Sequence, residues 1–302
     1  MAYRRPLWYY PLFQIPLLLL GLCLAMALLF WLLGWGRPSV AVSIALDLSG
    51  STYDPQPFNA PGTIMNQEIN AVNRYLEKNT SGVLSQPNQV KILGFASAVR
   101  PLTQNFSTDA KVINQELTQS IQPGLAEILG EGTNLDLAIQ EGVKALKSVS
   151  DRCRELLIVT DGAVFVAPEG IINAKSNRVK INAVVIGTEA PLLQAATLAT
   201  GGRYISAQGS ELDQLFTGKI FRDFNNNWGW VLFWLGLAWI CLMWLLVMPL
   251  DRWLFQGLLK MPINLAGKLA LGNAFFWSAA TPLIVWKLYQ ILEFALPFIG
   301  SC

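Results

Sequence analysis

The sequence predicts an α/β fold, a doubly wound and mostly parallel sheet flanked by transmembrane helices. Three observations predict it. Between residues 39 and 226, strand-like apolar runs alternate with helix-period segments, which calls for a parallel sheet covered on both faces. All eleven tryptophans lie outside residues 40–226, and tryptophan favours membrane interfaces over an average protein surface. Charge divides in the same way: residues 36–226 carry 16 basic and 18 acidic side chains, whereas the rest of the 302-residue chain carries 6 and 2. Three parts follow. Residues 1–36 form an N-terminal membrane anchor, residues 37–226 the α/β domain, and residues 227–302 a C-terminal membrane region.

The anchor comes first. Ile15 to Trp35 runs without a charge, long enough to cross a hydrocarbon core of about 30 Å as a helix. A cleaved signal peptide would have a shorter apolar stretch and a small-residue cleavage site, so an uncleaved signal anchor is expected. In the domain, residues 39–49 read as a buried strand and 63–79 as a helix. Residues 90–99 read as the second strand, with amphipathic helices at 109–121 and 133–149. Strands at 154–162 and 180–188 follow, then a glycine-closed helix at 191–202, a short edge strand at 203–207 and a last helix at 211–224. Beyond it, 228–250 is a second charge-free span bracketed by tryptophans. The segment 274–299 is a third candidate that contains Lys287 and Glu293, and either spans or lies in the interface.

Flanking charge sets the expected orientation. Arg4 and Arg5 precede the first span, and Arg252, Lys260 and Lys268 follow the second, so the five share one side. Short basic flanks favour the cytoplasm, which puts the domain on the non-cytoplasmic side of a bacterial plasma membrane; Lys219 and Arg222 on the opposing flank pull the other way.

Composition excludes several chemistries. Histidine is absent, which removes Ser-His and Cys-His nucleophiles and every His-ligated metal site. No basic stripe suggests nucleic acid, and no GxxxxGK[ST] or GxGxxG loop suggests a nucleotide. Cys153 is the one cysteine in the domain and reads as a small core residue.

What remains is a set of oxygen donors. In a doubly wound sheet, ligands sit beyond the carboxyl ends of strands where strand order reverses. The first strand ends ALDLSGST, with Asp47, Ser49 and Ser51 at alternate positions; a later one ends LLIVTDG, with Asp161. Between them EGTNLD opens a helix, with Thr133 near its start. Two carboxylates and three hydroxyls are hard donors suited to Mg²⁺, with Mn²⁺ or Ca²⁺ as competitors. Mg²⁺ keeps waters, so one coordination position is left for a carboxylate from elsewhere.

DLSGS, the Thr of EGTN and the Asp of TDG, in that order, resemble the metal-ion-dependent adhesion site of von Willebrand factor A domains. The resemblance covers roughly residues 39–224, and the TGGRYISA ending is similar to bacterial membrane-bound members, including the Bat-type aerotolerance proteins. It implies a Rossmann-like fold, a metal held by Asp47, Ser49, Ser51, Thr133 and Asp161, and a partner protein whose Asp or Glu completes the metal shell. It also implies a link to AAA+ ATPases, which a domain outside the cytoplasm could not touch directly. The loop TYDPQPFNAPG beside the site is longer than the family's usual lead into the first helix.

No catalytic role is expected. DLSGST is also similar to the first motif of haloacid dehalogenase phosphatases, but Ser49 stands where their acid catalyst would be, and a hydroxyl cannot do that work near neutral pH. The alternative to a binding module is a structural membrane subunit that uses the domain as a passive scaffold.

Overall fold

The computed structural model describes residues 6–82, 84, 86–162 and 165–292. The chain forms two compact units, one of residues 38–225 and one built from the segments before and after it.

The unit of residues 38–225 is built on a six-stranded sheet. Its strands are β1 (Val40–Asp47), β2 (Gln89–Phe95), β3 (Val99–Pro101), β4 (Cys153–Thr160), β5 (Val179–Ile186) and β6 (Tyr204–Ala207), in the order β3-β2-β1-β4-β5-β6. All pairs are parallel except β2–β3. All eight residues of β1 are buried, because it is hydrogen-bonded on both edges and covered on both faces. That double burial explains why its sequence runs almost continuously apolar.

Alternate residues of β1 serve two cores. Val42, Ile44 and Leu46 pack with Met65, Val72 and Tyr75 of α2 (Ile64–Thr80), and with Ile113 and Leu117 of α3 (Ala110–Ser120). Ala41 and Ala45 face the other side, with α5 (Leu135–Lys147) and, farther along the sheet, α7 (Pro191–Thr200). The short helices α4 (Gly124–Leu129) and α6 (Pro168–Ser176) complete the cover.

Several expectations need correction. Residues 90–99 do not form one strand: the chain turns through Ala96–Ala98, where the Ala96 amide donates to the Ala98 carbonyl at 2.9 Å, and returns antiparallel as β3. Pro101 sits there without cost because an edge strand has no ladder partner for the missing N–H. Helices α4 and α6 were not expected, since six and nine residues with little periodicity give a weak signal. Residues 211–224 are not one regular helix but α8 (Leu212–Gln214), a π-helix at Leu215–Ile220 and α9 (Phe221–Phe224). The segment is tied to α2. The Lys78 ammonium donates to the Thr217 carbonyl and lies 5.1 Å from the centre of the Phe221 ring. Arg74 meets Asp213 at 2.8 Å. Cys153 is buried as expected, but it is disulfide-bonded instead of being a free thiol.

In the other unit, three helices among the described residues are long and apolar enough to cross a membrane: Pro11–Leu33, Trp228–Leu258 and Ile263–Leu292. They comprise α1 (Pro11–Leu33), then α10 (Trp228–Leu245) with α11 (Val247–Pro249) and a π-helix at Leu250–Leu258, then α12 (Ile263–Leu292). The second helix does not stop at the charges near residue 250. The backbone continues through them as the π-helix, and the Gln256 side chain donates to the Asp251 carboxylate at 2.8 Å. The third starts eleven residues before the expected 274, and residues 293–299 of that expectation lie outside the described residues, as do Arg4, Arg5 and Glu293. Helix α12 presents Ala266, Ala270 and Ala274 as a buried stripe, which allows close helix approach. Tyr289 donates to the Gly229 carbonyl at 2.6 Å, and Trp244 to Ser278 at 2.9 Å. Cys23 of α1 and Cys241 of α10 face each other within hydrogen-bonding reach.

Two outcomes test these packings. A Cβ built on Gly202 would lie 1.9 Å from the Ile181 carbonyl oxygen, so the backbone itself would have to move. Gly202→Ala is expected to cost the domain about 1–3 kcal/mol in denaturant unfolding, while Gly218→Ala, whose Cβ meets nothing within 4 Å, costs nothing measurable. In the membrane unit, mild oxidation of the full chain is expected to link Cys23 to Cys241, with the joined peptides recovered by mass spectrometry.

Candidate metal centre

The site lies where strand order reverses. From β1 the chain moves to β2 on one side and later to β4 on the other, so the carboxyl ends of β1 and β4 open a crevice between their departing loops. Asp47 is the last residue of β1 and Asp161 follows the last residue of β4. The parallel register sets Leu46 beside Val159, which brings the two acids to one end of the sheet.

After Asp47 the chain leaves the sheet and winds into a short 3-10 turn at Gly50–Thr52. The Ser49 amide donates to Asp47 Oδ1 at 3.1 Å, an Asx turn that folds the loop back over the carboxylate. Ser49 Oγ and Ser51 Oγ lie 3.2 Å apart, and Ser51 Oγ donates to Asp161 Oδ1 at 2.9 Å. Four of the five expected residues thus form one linked set. Its exposure is graded: Asp47 and Ser49 are buried, Asp161 is half-buried and Ser51 faces solvent. The oxygens lead from the interior to the surface.

Thr133 is placed beside this set and is not hydrogen-bonded into it among the described residues. It sits one residue before Asn134, whose side chain caps α5 by accepting from the Leu137 amide at 3.1 Å. The loop carrying Thr133 is held against the site at three points. The Gly50 amide donates to the Glu131 carbonyl at 3.3 Å, the Asn134 amide to the Ala96 carbonyl at 2.7 Å, and the Gly132 amide to Ser97 Oγ at 2.9 Å. Thr133 lines a hollow with Ser97, Asp136 and Phe165. Asp54, in the long loop after the serines, is exposed.

Thr160 is a participant that the sequence reading passed over. Its hydroxyl donates to Asp47 Oδ2 at 2.5 Å, so both carboxylate oxygens of Asp47 are engaged. The sequence signal was the Thr immediately before Asp161 at a strand end. A hydroxyl there points to the same end of the sheet as the neighbouring strand's last residue.

The donor set fits a divalent cation of the Mg²⁺ class. Asp47 and Asp161 are carboxylates, Ser49, Ser51 and Thr133 are hydroxyls, and neither sulfur nor nitrogen competes. Among the described residues no three Asp, Glu, His or Cys side chains gather as a ligand group, so two acids and the hydroxyls would have to carry the coordination. Burial, opposed by hydrogen bonds from Ser49 and Thr160, pushes the Asp47 pKa from 3.8 up to about 6, and the Asp161 charge adds to the rise. A carboxylate in this state gains from a cation more than an exposed one would, since the cation removes the penalty of burying its charge.

A pH dependence follows. Because the folded-state pKa of Asp47 is raised, the metal-free fold binds this proton more tightly than the unfolded chain does. Stability from this group is therefore greatest below about pH 3.8 and falls as pH rises to about 6. The shift of about two units corresponds to a cost on the order of 3 kcal/mol at pH 7. Asp47→Asn is expected to raise metal-free stability at pH 7 by up to about that amount, and to flatten the loss between pH 4 and 6. Chemical denaturation at pH 4, 5, 6 and 7 with a chelator checks both.

Comparison with known proteins bears on the fold. Residues 42–163 match the family model of the von Willebrand factor type A domain. A search of curated proteins finds no significant match. Among solved structures, a von Willebrand factor type A protein from Catenulispora acidiphila aligns at 13% identity over 62% of this chain, with a TM-score of 0.50; the alignment spans 43% of that protein, less than half its length. The N-terminal domain of TFIIH p34 aligns at 17% identity and a TM-score of 0.50, over 61% of this chain and 98% of that one. The conserved hypothetical protein BatB from Bacteroides thetaiotaomicron aligns at 16% identity and a TM-score of 0.46, over 61% of this chain and 100% of that one. At these identities the likeness is one of fold. The family match and the doubly wound sheet together identify the unit of residues 38–225 as a von Willebrand factor type A domain.

Proposed function

We propose that this chain is a membrane-anchored, non-catalytic binding module that holds Mg²⁺ and docks an acidic side chain of a partner protein onto it. The observation that carries this reading is the graded line of oxygens from buried Asp47 and Ser49 to exposed Ser51 beside Asp161. A cation held by the buried end would have its solvent side free for one further ligand. Two protein carboxylates offset the charge of Mg²⁺, and serine and threonine hydroxyls leave it electrophilic enough to take a third carboxylate. The exposed Phe165, in the hollow beside Thr133, offers an apolar contact next to that ligand position.

The helices Pro11–Leu33, Trp228–Leu258 and Ile263–Leu292 support a bilayer anchor. The basic residues near the spans put the domain on the non-cytoplasmic side in this reading, where its partner would belong to an envelope or membrane complex. An AAA+ ATPase would then act only through the membrane helices. The hydroxyl of Ser49 is no acid catalyst, and the acids present are engaged with hydroxyls and amides, which fits binding and not turnover.

The test replaces Phe165 with a photo-crosslinking amino acid in the full chain and irradiates native membranes. The expected result is an adduct in Mg²⁺ that disappears with EDTA and in Asp47→Ala. An adduct indifferent to both would sink metal-dependent docking and favour the passive scaffold.

A further inference from the structure

Helix α2 carries one side chain that packing does not explain. Its inward face is Met65, Ile69, Val72, Tyr75 and Leu76, all buried in the core shared with β1. Glu68 lies on this same face and is fully buried. Neither of its carboxylate oxygens has a hydrogen-bond partner among the described residues. A carboxyl held out of water without a partner is among the costliest groups a core can contain. Glu155, another buried acid of the domain, shows the usual remedy: Asn182 donates to it at 2.7 Å and Lys180 lies 4.0 Å away. Glu68 has no counterpart to either.

Its position suggests what would satisfy it. Helix α2 follows the loop that leaves Ser49 and Ser51, and Met65, Ile69 and Val72 in its N-terminal half share one core with Val42, Ile44 and Leu46 of β1. The charges acting on Glu68 are those of Asp47 and Asp161, the two acids of the candidate metal centre. Three acids therefore share one neighbourhood, and Glu68 enters it from the apolar face of α2. Without a cation they repel one another, and burial together with that repulsion holds Glu68 well above the usual carboxylate range. The three do not close up as a single ligand group. Glu68 is thus not one of the donors, yet the charges of the two acidic donors act on it.

We propose that Glu68 is a positioning acid of the metal centre, facing the hydrated cation from the core and raising the site's affinity for it across a layer of its waters. This rests on the metal-binding reading above and adds a residue to it. Mg²⁺ and Mn²⁺ retain waters when bound, and such waters need acceptors behind them. An unpartnered carboxylate in the core is such an acceptor. The helix that bears it packs against the 212–224 segment through Lys78 and Arg74, so cation binding would be felt on α2 as well as in the loops.

The experiment uses the full chain in detergent micelles and Mn²⁺ alone as the probe, with free Mn²⁺ followed by electron paramagnetic resonance. Wild type, Asp47→Ala, Glu68→Gln and Glu68→Leu are compared, and the melting temperature of each is taken in chelator. The expected result is a Kd for Mn²⁺ raised about tenfold or more in Glu68→Gln and Glu68→Leu, the scale of lost support behind a metal site. Their metal-free melting temperatures stay level or rise. Equal Mn²⁺ affinity in wild type and both Glu68 variants overturns the proposal and leaves the metal centre standing. No saturable binding by wild type, or binding untouched in Asp47→Ala, overturns the metal centre and the proposal with it. Loss of the melting transition in both Glu68 variants also overturns it, because Glu68 would then be a requirement of the fold.

Discussion

The structure of the domain turns on one carboxylate held at the end of a fully buried strand. Asp47 has no exposed surface, and both its oxygens are engaged, by the Ser49 amide and the Thr160 hydroxyl. Those bonds fix the path of the chain on either side of the crevice. The Asx turn brings Ser49 and Ser51 back over the acid, and the bond from Thr160 ties the end of β4 to the end of β1. Ser51 then reaches Asp161. Burial has a cost, visible in a pKa pushed up to about 6. A core that keeps such a group must have something to offset it, and a bound cation is the simplest candidate.

The topology explains why the site falls here. Only at β1 does the chain leave the sheet in one direction and return on the other side, so only there do two loops part. The loop between α4 and α5 is drawn into the crevice by bonds to Gly50, Ala96 and Ser97, and it carries Thr133 to the rim. The donors come from three separate parts of the sequence, and the sheet together with the bonds between its loops brings them to one place.

Much of this was legible in the sequence. The fold class followed from continuous apolar strands such as VAVSIAL, because a strand buried on both faces cannot afford alternation. The acids and serines stood out because DLSGS and TDG follow strands directly. What was hidden depended on contacts across distance. The break after Phe95 has no glycine or proline to mark it, and the ASA turn forms because β3 finds an edge to pair with. The π-helix at Leu215–Ile220 depends on how Phe216, Ile220 and Phe221 seat in the core, not on local propensity. Thr160 read as one more strand residue, and Glu68 as a polar position on a helix. Periodicity places Glu68 on the same face as Met65 and Val72, yet a single acid on an apolar face gives no hint of which charges lie opposite.

The central claim is that the ends of β1 and β4 hold a divalent cation. Its most direct test is a crystal of the full chain grown with Mn²⁺ and measured for anomalous scattering. The account predicts one peak bounded by Asp47, Ser49, Ser51, Thr133 and Asp161, lost in Asp47→Ala. A peak elsewhere, or none at saturating Mn²⁺, would contradict it and leave the domain a scaffold.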